Sequence, residues 1–394
     1  MNALSWARRN RAGLIRLIRE FVECESPSDS PADVLRFQDL IAQSVSDIAV
    51  VRRTVVRRTP EGALVCRFKL PGLNKQSLNK QSSGKQRQVL VLGHADTVWP
   101  LGTLKSMPFR RAQGRLWGPG VLDMKAGLAF FIFAMKALRE LEIPVAHEVV
   151  LLVNPDEETG SKASRAGTEA LAKESKAVFV LEPGTGLQGK VKTARKGIGG
   201  YCLKVRGVAA HAGVDFERGA SAVLELARQV ERIAAFTDLK RGVTVNPGVI
   251  SGGTRSNVIA AEASAHIDIR VPRIIEARSL DRKFRSLKPF DKRCSLELTG
   301  GLNRPPMERS GGIAALFALA RRVAADLGPD GGIDLEESAT GGGSDGNFTA
   351  ALGIPTLDGL GAVGEGAHAA HESILIDRIP DRVALLAGLT AAIS

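Results

Sequence analysis

The sequence predicts an α/β protein, a three-layer αβα domain into which a smaller α+β unit is inserted. Two apolar runs, Val89–Leu92 and Val149–Val153, flank a helical period at about 125–141, and this strand-helix-strand order implies a parallel sheet covered on both faces. From about Gly197 the texture changes to a β-α-β-β-α-β order, the pattern of a ferredoxin-like unit. The α/β pattern resumes near Arg304. At 394 residues the chain exceeds the usual span of one core, roughly 100–200 residues.

The elements follow in order. Leu14, Ile15, Leu17, Ile18 and Phe21 give the N-terminus an amphipathic helical period, and helix is expected up to about Ser46. Strands are expected at 47–57, 64–69 and 89–92. Between them LNKQSLNKQSSGKQRQ (73–88) repeats LNKQS with only Leu73 and Leu78 apolar, and reads as an exposed hairpin loop. After the helix at 125–141 come strands at 148–153 and 177–181. The inserted unit then shows alternating Tyr201, Leu203 and Val205, a helix at 219–235, strands at 243–250 and 258–271, a charged helix at 276–287 and a strand at 294–299. A helix at 311–327 and a strand at 356–360 return to the first domain, so the expected division is 1–196 with 304–394, and 197–303.

The 54 Lys+Arg against 42 Asp+Glu give a net charge of +12. The basic residues are dispersed apart from Arg52, Arg53, Arg57 and Arg58, and 3 Trp and 1 Tyr provide no stacking platform, which argues against a nucleic-acid partner. Cys24, Cys66, Cys202 and Cys294 form no C-x-x-C pair and read as reduced thiols. No run approaches the roughly 18 apolar residues of a membrane span, and a cytoplasmic location without membrane association is the expectation.

The acidic and imidazole side chains recur at strand ends, where open α/β sheets bind their ligands. His94 and Asp96 follow the 89–92 strand, and Asp96 is placed to hold the second nitrogen of His94; alone, the pair reads as readily as a surface turn. Asp123 follows a glycine-rich loop at a helix start, which by itself is an ordinary N-cap. Asp156, Glu157 and Glu158 end the next apolar strand, and neighbouring glutamates point oppositely, so one can ligate a metal while the other faces substrate as a general base. Glu182 ends a third apolar run, and His368 lies in a glycine-rich loop near the C-terminus. Two imidazoles and three carboxylates are the N/O set of a zinc pair sharing a carboxylate, with manganese or cobalt also compatible. His147 and His266 receive no role.

GHADTVWP, GPGVLDMKAG, NPDEETGS, LEPG, AAHAGVD, GGTRSNVIA and TGGGSDGNF occur in this order, and together the chain resembles the co-catalytic two-zinc peptidases, most of all glutamate carboxypeptidases of the carboxypeptidase G type and their aminoacylase-like relatives. The resemblance implies a phosphorylase/hydrolase-like catalytic domain with an inserted dimerisation (lid) domain. It implies that His94, Asp123 and Glu182 hold one Zn2+ and Asp123, Glu158 and His368 the other, with Glu157 as general base and Asp96 orienting His94. It further implies a homodimer in which His211 stabilises the oxyanion in a neighbouring active site, Asn257 and Arg270 holding the substrate carboxylate, and Gly341–Asp345, Gly342 among them, shaping the pocket. The C-terminal ligand has two candidates. His368 precedes Glu372 by the family's four-residue spacing and is preferred over His371. Ala126 stands where a second glycine is common, which would slightly disturb close packing.

The expected activity is hydrolysis of an amide bond beside a free carboxylate, releasing glutamate or a similar residue from a small peptide or N-acyl-amino acid, with a water between the metals activated by Glu157. The rival readings are an aminoacylase or deacylase of N-acyl-amino acids or biosynthetic intermediates, and a binding protein without turnover.

Overall fold

The computed structural model describes residues 2–56, 59–73, 88–328 and 332–394. Most of the 73–88 loop and the basic pair Arg57 and Arg58 lie outside them. The chain divides into two compact units, one of 1–194, 309–339 and 344–394, the other of 195–308 and 340–343.

The first unit is built on a six-stranded sheet in the order Ala49–Val56, Thr59–Phe68, Glu148–Asn154, Gln88–His94, Ser175–Val180 and Thr356–Leu357. The last four strands are parallel, but the first two form an antiparallel hairpin whose second strand runs antiparallel to Glu148–Asn154. The sheet is thus mixed where the sequence suggested a parallel one. The two-residue connection between the first two strands can only reverse the chain, whereas a parallel neighbour needs a crossover. The central strands are apolar along their middles, Val89–Leu92, Val149–Val153 and Ala177–Val180, because both of their faces are covered there. Helix Ala126–Glu140, buried along nearly its whole length, packs with Ala3–Glu23 and Ile379–Ala392. Asn2 caps the first of these by accepting the Ser5 N–H at 2.9 Å.

Register sets the working edge of this sheet. His94 pairs opposite Asn154, and Leu92 opposite both Leu152 and Val180. The residues that follow these strands, 94–96, 156–158 and 181–182, therefore emerge together. Beside this sheet lies a small antiparallel one formed by Gly364–Glu365, Ser373–Leu375, Arg115–Trp117 and Arg110–Ala112.

The second unit is a four-stranded antiparallel sheet in the order Thr244–Gly252, Glu262–Val271, Gly197–Arg206 and Ser295–Arg304, with helices Ala222–Ala234 and Ile274–Arg285. Tyr201, Leu203 and Val205 face its core while Gly200, Lys204 and Arg206 are exposed, the alternation of a sheet covered on one face only. Thr340–Gly343 group with this unit: the Lys196 N–H donates to the Thr340 carbonyl at 2.9 Å, and the Arg195 Nη1 donates to the carbonyls of Gly342 and Gly343 at 3.1 and 3.0 Å.

Candidate metal centre

Five side chains converge at the sheet edge in two overlapping groups, His94 with Asp123 and Glu182, and Asp123 with Glu158 and His368, the ligand atoms within each group lying within 4.8 Å of one another. Asp123 is common to both. Its Oδ1 is 3.2 Å from the His94 Nε2 and its Oδ2 is 3.5 Å from the His368 Nε2. Glu182 Oε1 approaches the His94 Nε2 at 3.6 Å, and Glu158 Oε1 approaches the His368 Nε2 at 3.4 Å.

Local chain geometry makes this possible. Asp123 sits in a distorted turn, Val121–Lys125, at φ −116° and ψ 94°, and is therefore not a helix cap; the Asp123–Met124 peptide is cis. Helix Ala126–Glu140 begins directly after it and is pressed close to the sheet. A Cβ on Gly127 would stand 2.3 Å from the Leu181 carbonyl oxygen, so the position that demands glycine is Gly127, while Ala126 is accommodated in the core. His368 has φ +63°, a left-handed conformation uncommon outside glycine, and its ring, not that of exposed His371, reaches the acidic groups.

Electrostatics favour cations at this edge. Burial alone would raise the Asp123 carboxyl, but hydrogen bonds to His368 and His94 outweigh it and hold the group well below the usual carboxylate range. The bond to Asp123 and the Glu158 carboxylate 3.4 Å away push the His368 imidazole up to about 10. Burial opposes protonation of His94, yet Asp123, Asp96 and Glu182 together raise it. Glu158 Oε1 is buried without a hydrogen bond, and burial raises this carboxyl. Two imidazoles made basic by three crowded carboxylates, one of them with an orphaned oxygen, fit a pair of divalent cations, which would replace protons at these atoms.

Around these groups the structure reveals a supporting layer. Asp96 was expected to hold the second nitrogen of His94 through its carboxylate. Its backbone carbonyl is nearer, 2.8 Å from Nδ1, with the carboxylate at 3.5 Å. The carboxylate instead accepts the backbone N–H of Glu157 and of Glu158, at 3.1 and 3.0 Å, and the Ser28 hydroxyl at 2.9 Å. Glu157, half-buried, thus stands in a turn fixed by Asp96. Glu372, four residues after His368, is fully buried. It accepts the N–H groups of Gly120, Leu122 and Asp123 at 2.8, 2.8 and 3.1 Å and the Trp99 indole at 2.8 Å. It ties the loop bearing Asp123 to the chain just after His368. Asp345 is buried and accepts the Asn154 amide at 2.6 Å.

The remaining candidates belong to the second unit. His211 is exposed, in an isolated bridge with Val258, and the Ala212 N–H donates to the Asn257 carbonyl at 3.0 Å. Arg270 pairs with Asp268 at 2.9 Å and reaches the Gly341 carbonyl, next to Gly342, at 3.4 Å. The structure therefore joins His211 to Asn257 and Arg270 to the glycine segment.

This αβα core with an inserted α+β unit and a dinuclear-type donor set defines a metal-dependent hydrolase. The chain belongs to the peptidase family M20/M25/M40, which it matches over residues 90–392. It is 29% identical over 335 residues to carboxypeptidase G2 of Pseudomonas sp. (strain RS-16), covering 83% of this chain and 80% of that one. It is also 29% identical over 255 residues to acetylornithine deacetylase of Erwinia tasmaniensis, covering 60% and 65%. Among solved structures, aminopeptidase PepT from Bacillus cereus superposes with a TM-score of 0.76 at 22% identity, covering 97% of this chain and 98% of that one. The fold expected from the sequence is the fold of this family, and the chain is a metallopeptidase or amidohydrolase. Among the described residues no helix is long and apolar enough to cross a membrane.

Proposed function

We propose that the protein hydrolyses an amide bond next to a free carboxylate and releases a C-terminal amino acid, glutamate or one like it, from a small peptide or N-acyl-amino acid. The observation that carries the reading is the pair of ligand groups sharing Asp123, with Glu157 held beside Glu158 by the Asp96 carboxylate. The first unit is the catalytic domain on this reading, and the second a lid through which two chains dimerise.

His94, Asp123 and Glu182 would hold one cation and Asp123, Glu158 and His368 the other, zinc being the first choice and cobalt or manganese compatible. A cation pair supplies Lewis-acid polarisation of the scissile carbonyl and acidifies a water at neutral pH. Glu157 takes the proton of that water and delivers it to the leaving amine, a transfer that Asp96 prepares by fixing the backbone at 157 and 158. His211 stabilises the developing oxyanion, and Asn257, Arg270 and the Gly342 segment receive the substrate carboxylate, roles supported by the family resemblance. The likeness to carboxypeptidase G2 over most of both chains supports the glutamate preference. The acetylornithine deacetylase relative supports the second reading, an aminoacylase or deacylase of N-acyl-amino acids.

A panel of N-acyl-amino acids, folate-type glutamates and dipeptides, each with its α-carboxylate free or amidated, decides between them. The proposal expects kcat/KM to fall by about a hundredfold or more on amidation, the loss of a charge-assisted contact. Equal rates on free and amidated substrates would refute the carboxylate requirement, and preference for short acyl groups regardless of the amino acid would favour the deacylase.

A further inference from the structure

We propose that a cavity beside the N-terminal helix, sharing no residue with the metal ligands, binds an acidic α-amino acid. The cavity has a volume of about 710 Å3, opens to solvent, and is lined by Arg11, Arg111, Gln113 and Asp377, the charged ones all exposed, together with residues 112, 114, 375 and 376. That size is ordinary for small-molecule sites, roughly 300–1,000 Å3. Its three charged residues come from separate elements: Arg11 from helix Ala3–Glu23, Arg111 from strand Arg110–Ala112, and Asp377 from the segment after strand Ser373–Leu375.

Other charged groups on or next to these elements are engaged. Arg19 pairs with Glu23, Arg115 with Glu365 and Arg378 with Asp381, and Arg110 lies over the Trp117 ring at 4.2 Å. Arg11, Arg111 and Asp377 make no ion pair with any described residue. A smaller adjoining cavity shares Arg11 and Asp377 and is lined also by Asp381, whose Oδ1 is buried without a hydrogen bond.

Two guanidinium groups and a carboxylate around one cavity are complementary to two carboxylates and an ammonium. Each guanidinium offers a planar fork of donors to a carboxylate, and Asp377 takes the ammonium. An inorganic anion would engage the arginines but face Asp377 unfavourably. A basic amino acid would leave a guanidinium without a counter-charge. The charge count alone selects the ligand, so the proposal does not depend on which amino acid the enzyme releases.

The test is equilibrium binding of isotopically labelled L-glutamate to the metal-loaded protein, its Arg111→Ala and Asp377→Asn variants, with glutarate and sulfate as competitors. The proposal expects a saturable component, separate from any glutamate held at the metal centre, that either substitution weakens by about tenfold or more, while hydrolytic rates and thermal melting stay at wild-type values. Glutarate, which lacks the ammonium, and sulfate should compete at least about tenfold less well than unlabelled glutamate. Binding unchanged in both variants, no saturable component beyond that retained by Arg111→Ala, or competition by sulfate or glutarate equal to that of glutamate would each overturn it. Glutamate held at the metal centre persists in the Arg111→Ala protein, so failure of this site and failure of the carboxypeptidase reading give different results.

Discussion

Asp96 does more than steady an imidazole. Its carboxylate gathers two consecutive backbone N–H groups, those of Glu157 and Glu158, so a single residue sets both the proposed base and a proposed ligand. Asp96→Asn presents a donor where an acceptor is needed, and the account expects metal affinity to fall about 10–100-fold, with a lower kcat, measurable by competition with a chelator and by steady-state kinetics. Glu372→Gln should likewise loosen the Asp123 loop, lowering metal affinity and melting temperature together, because its carboxylate has four N–H donors to satisfy and an amide has fewer acceptor sites. Burial pushes the Cys66 thiol from its ordinary value of 9.0 up to about 12. Between these values the unfolded chain has lost the proton that the folded chain retains, so stability is full below pH 9 and falls as pH rises through the window, by up to about 4 kcal/mol. Denaturant titrations should show a shallower alkaline decline in Cys66→Ala than in wild type; parallel curves would contradict the assignment. His94, Glu157, Glu158 and Glu182 were legible in the sequence because they follow apolar runs, whereas Asp123 and His368 sit by glycine-rich loops and stood out only through the motifs around them. Glu372 was not. It acts through backbone N–H groups some 250 positions away, and nothing in its local sequence marks such a role.

At the scale of elements, close approach of helix Ala126–Glu140 to the sheet is what brings Asp123 to the edge. Gly127→Ala would place a methyl group 2.3 Å from a backbone oxygen that cannot move alone, and the variant should lose about 1–3 kcal/mol of stability, as read by denaturant unfolding. Ala126→Gly, by contrast, should bring no gain in packing. The long elements were readable from periodicity, including the β-α-β-β-α-β order of the inserted unit. The small sheet containing Arg110–Ala112 and Arg115–Trp117 was not, because strands of two or three residues carry no alternation to detect. The antiparallel edge of the main sheet was missed for a related reason: apolar runs announce burial, and direction is decided by the length of the connection.

For the whole molecule, a discontinuous unit carries the candidate metal ligands and an inserted one carries His211, Asn257 and Arg270. If His211 serves a neighbouring chain, as proposed, His211→Ala and Glu157→Ala proteins should each be inactive alone. Mixed and re-equilibrated, they should recover about a quarter of wild-type activity, because half the dimers then pair one intact base with one intact imidazole. No recovery in a demonstrated dimer would place His211 in its own chain's reaction. Metal content and turnover measured on the same preparation of Glu157→Ala test whether the two ligand groups sharing Asp123 would hold a cation pair served by Glu157 as the proton carrier. Two cations per chain, as in wild type, are expected, with kcat reduced by about 10²–10⁴-fold. Wild-type turnover at full metal occupancy would contradict it.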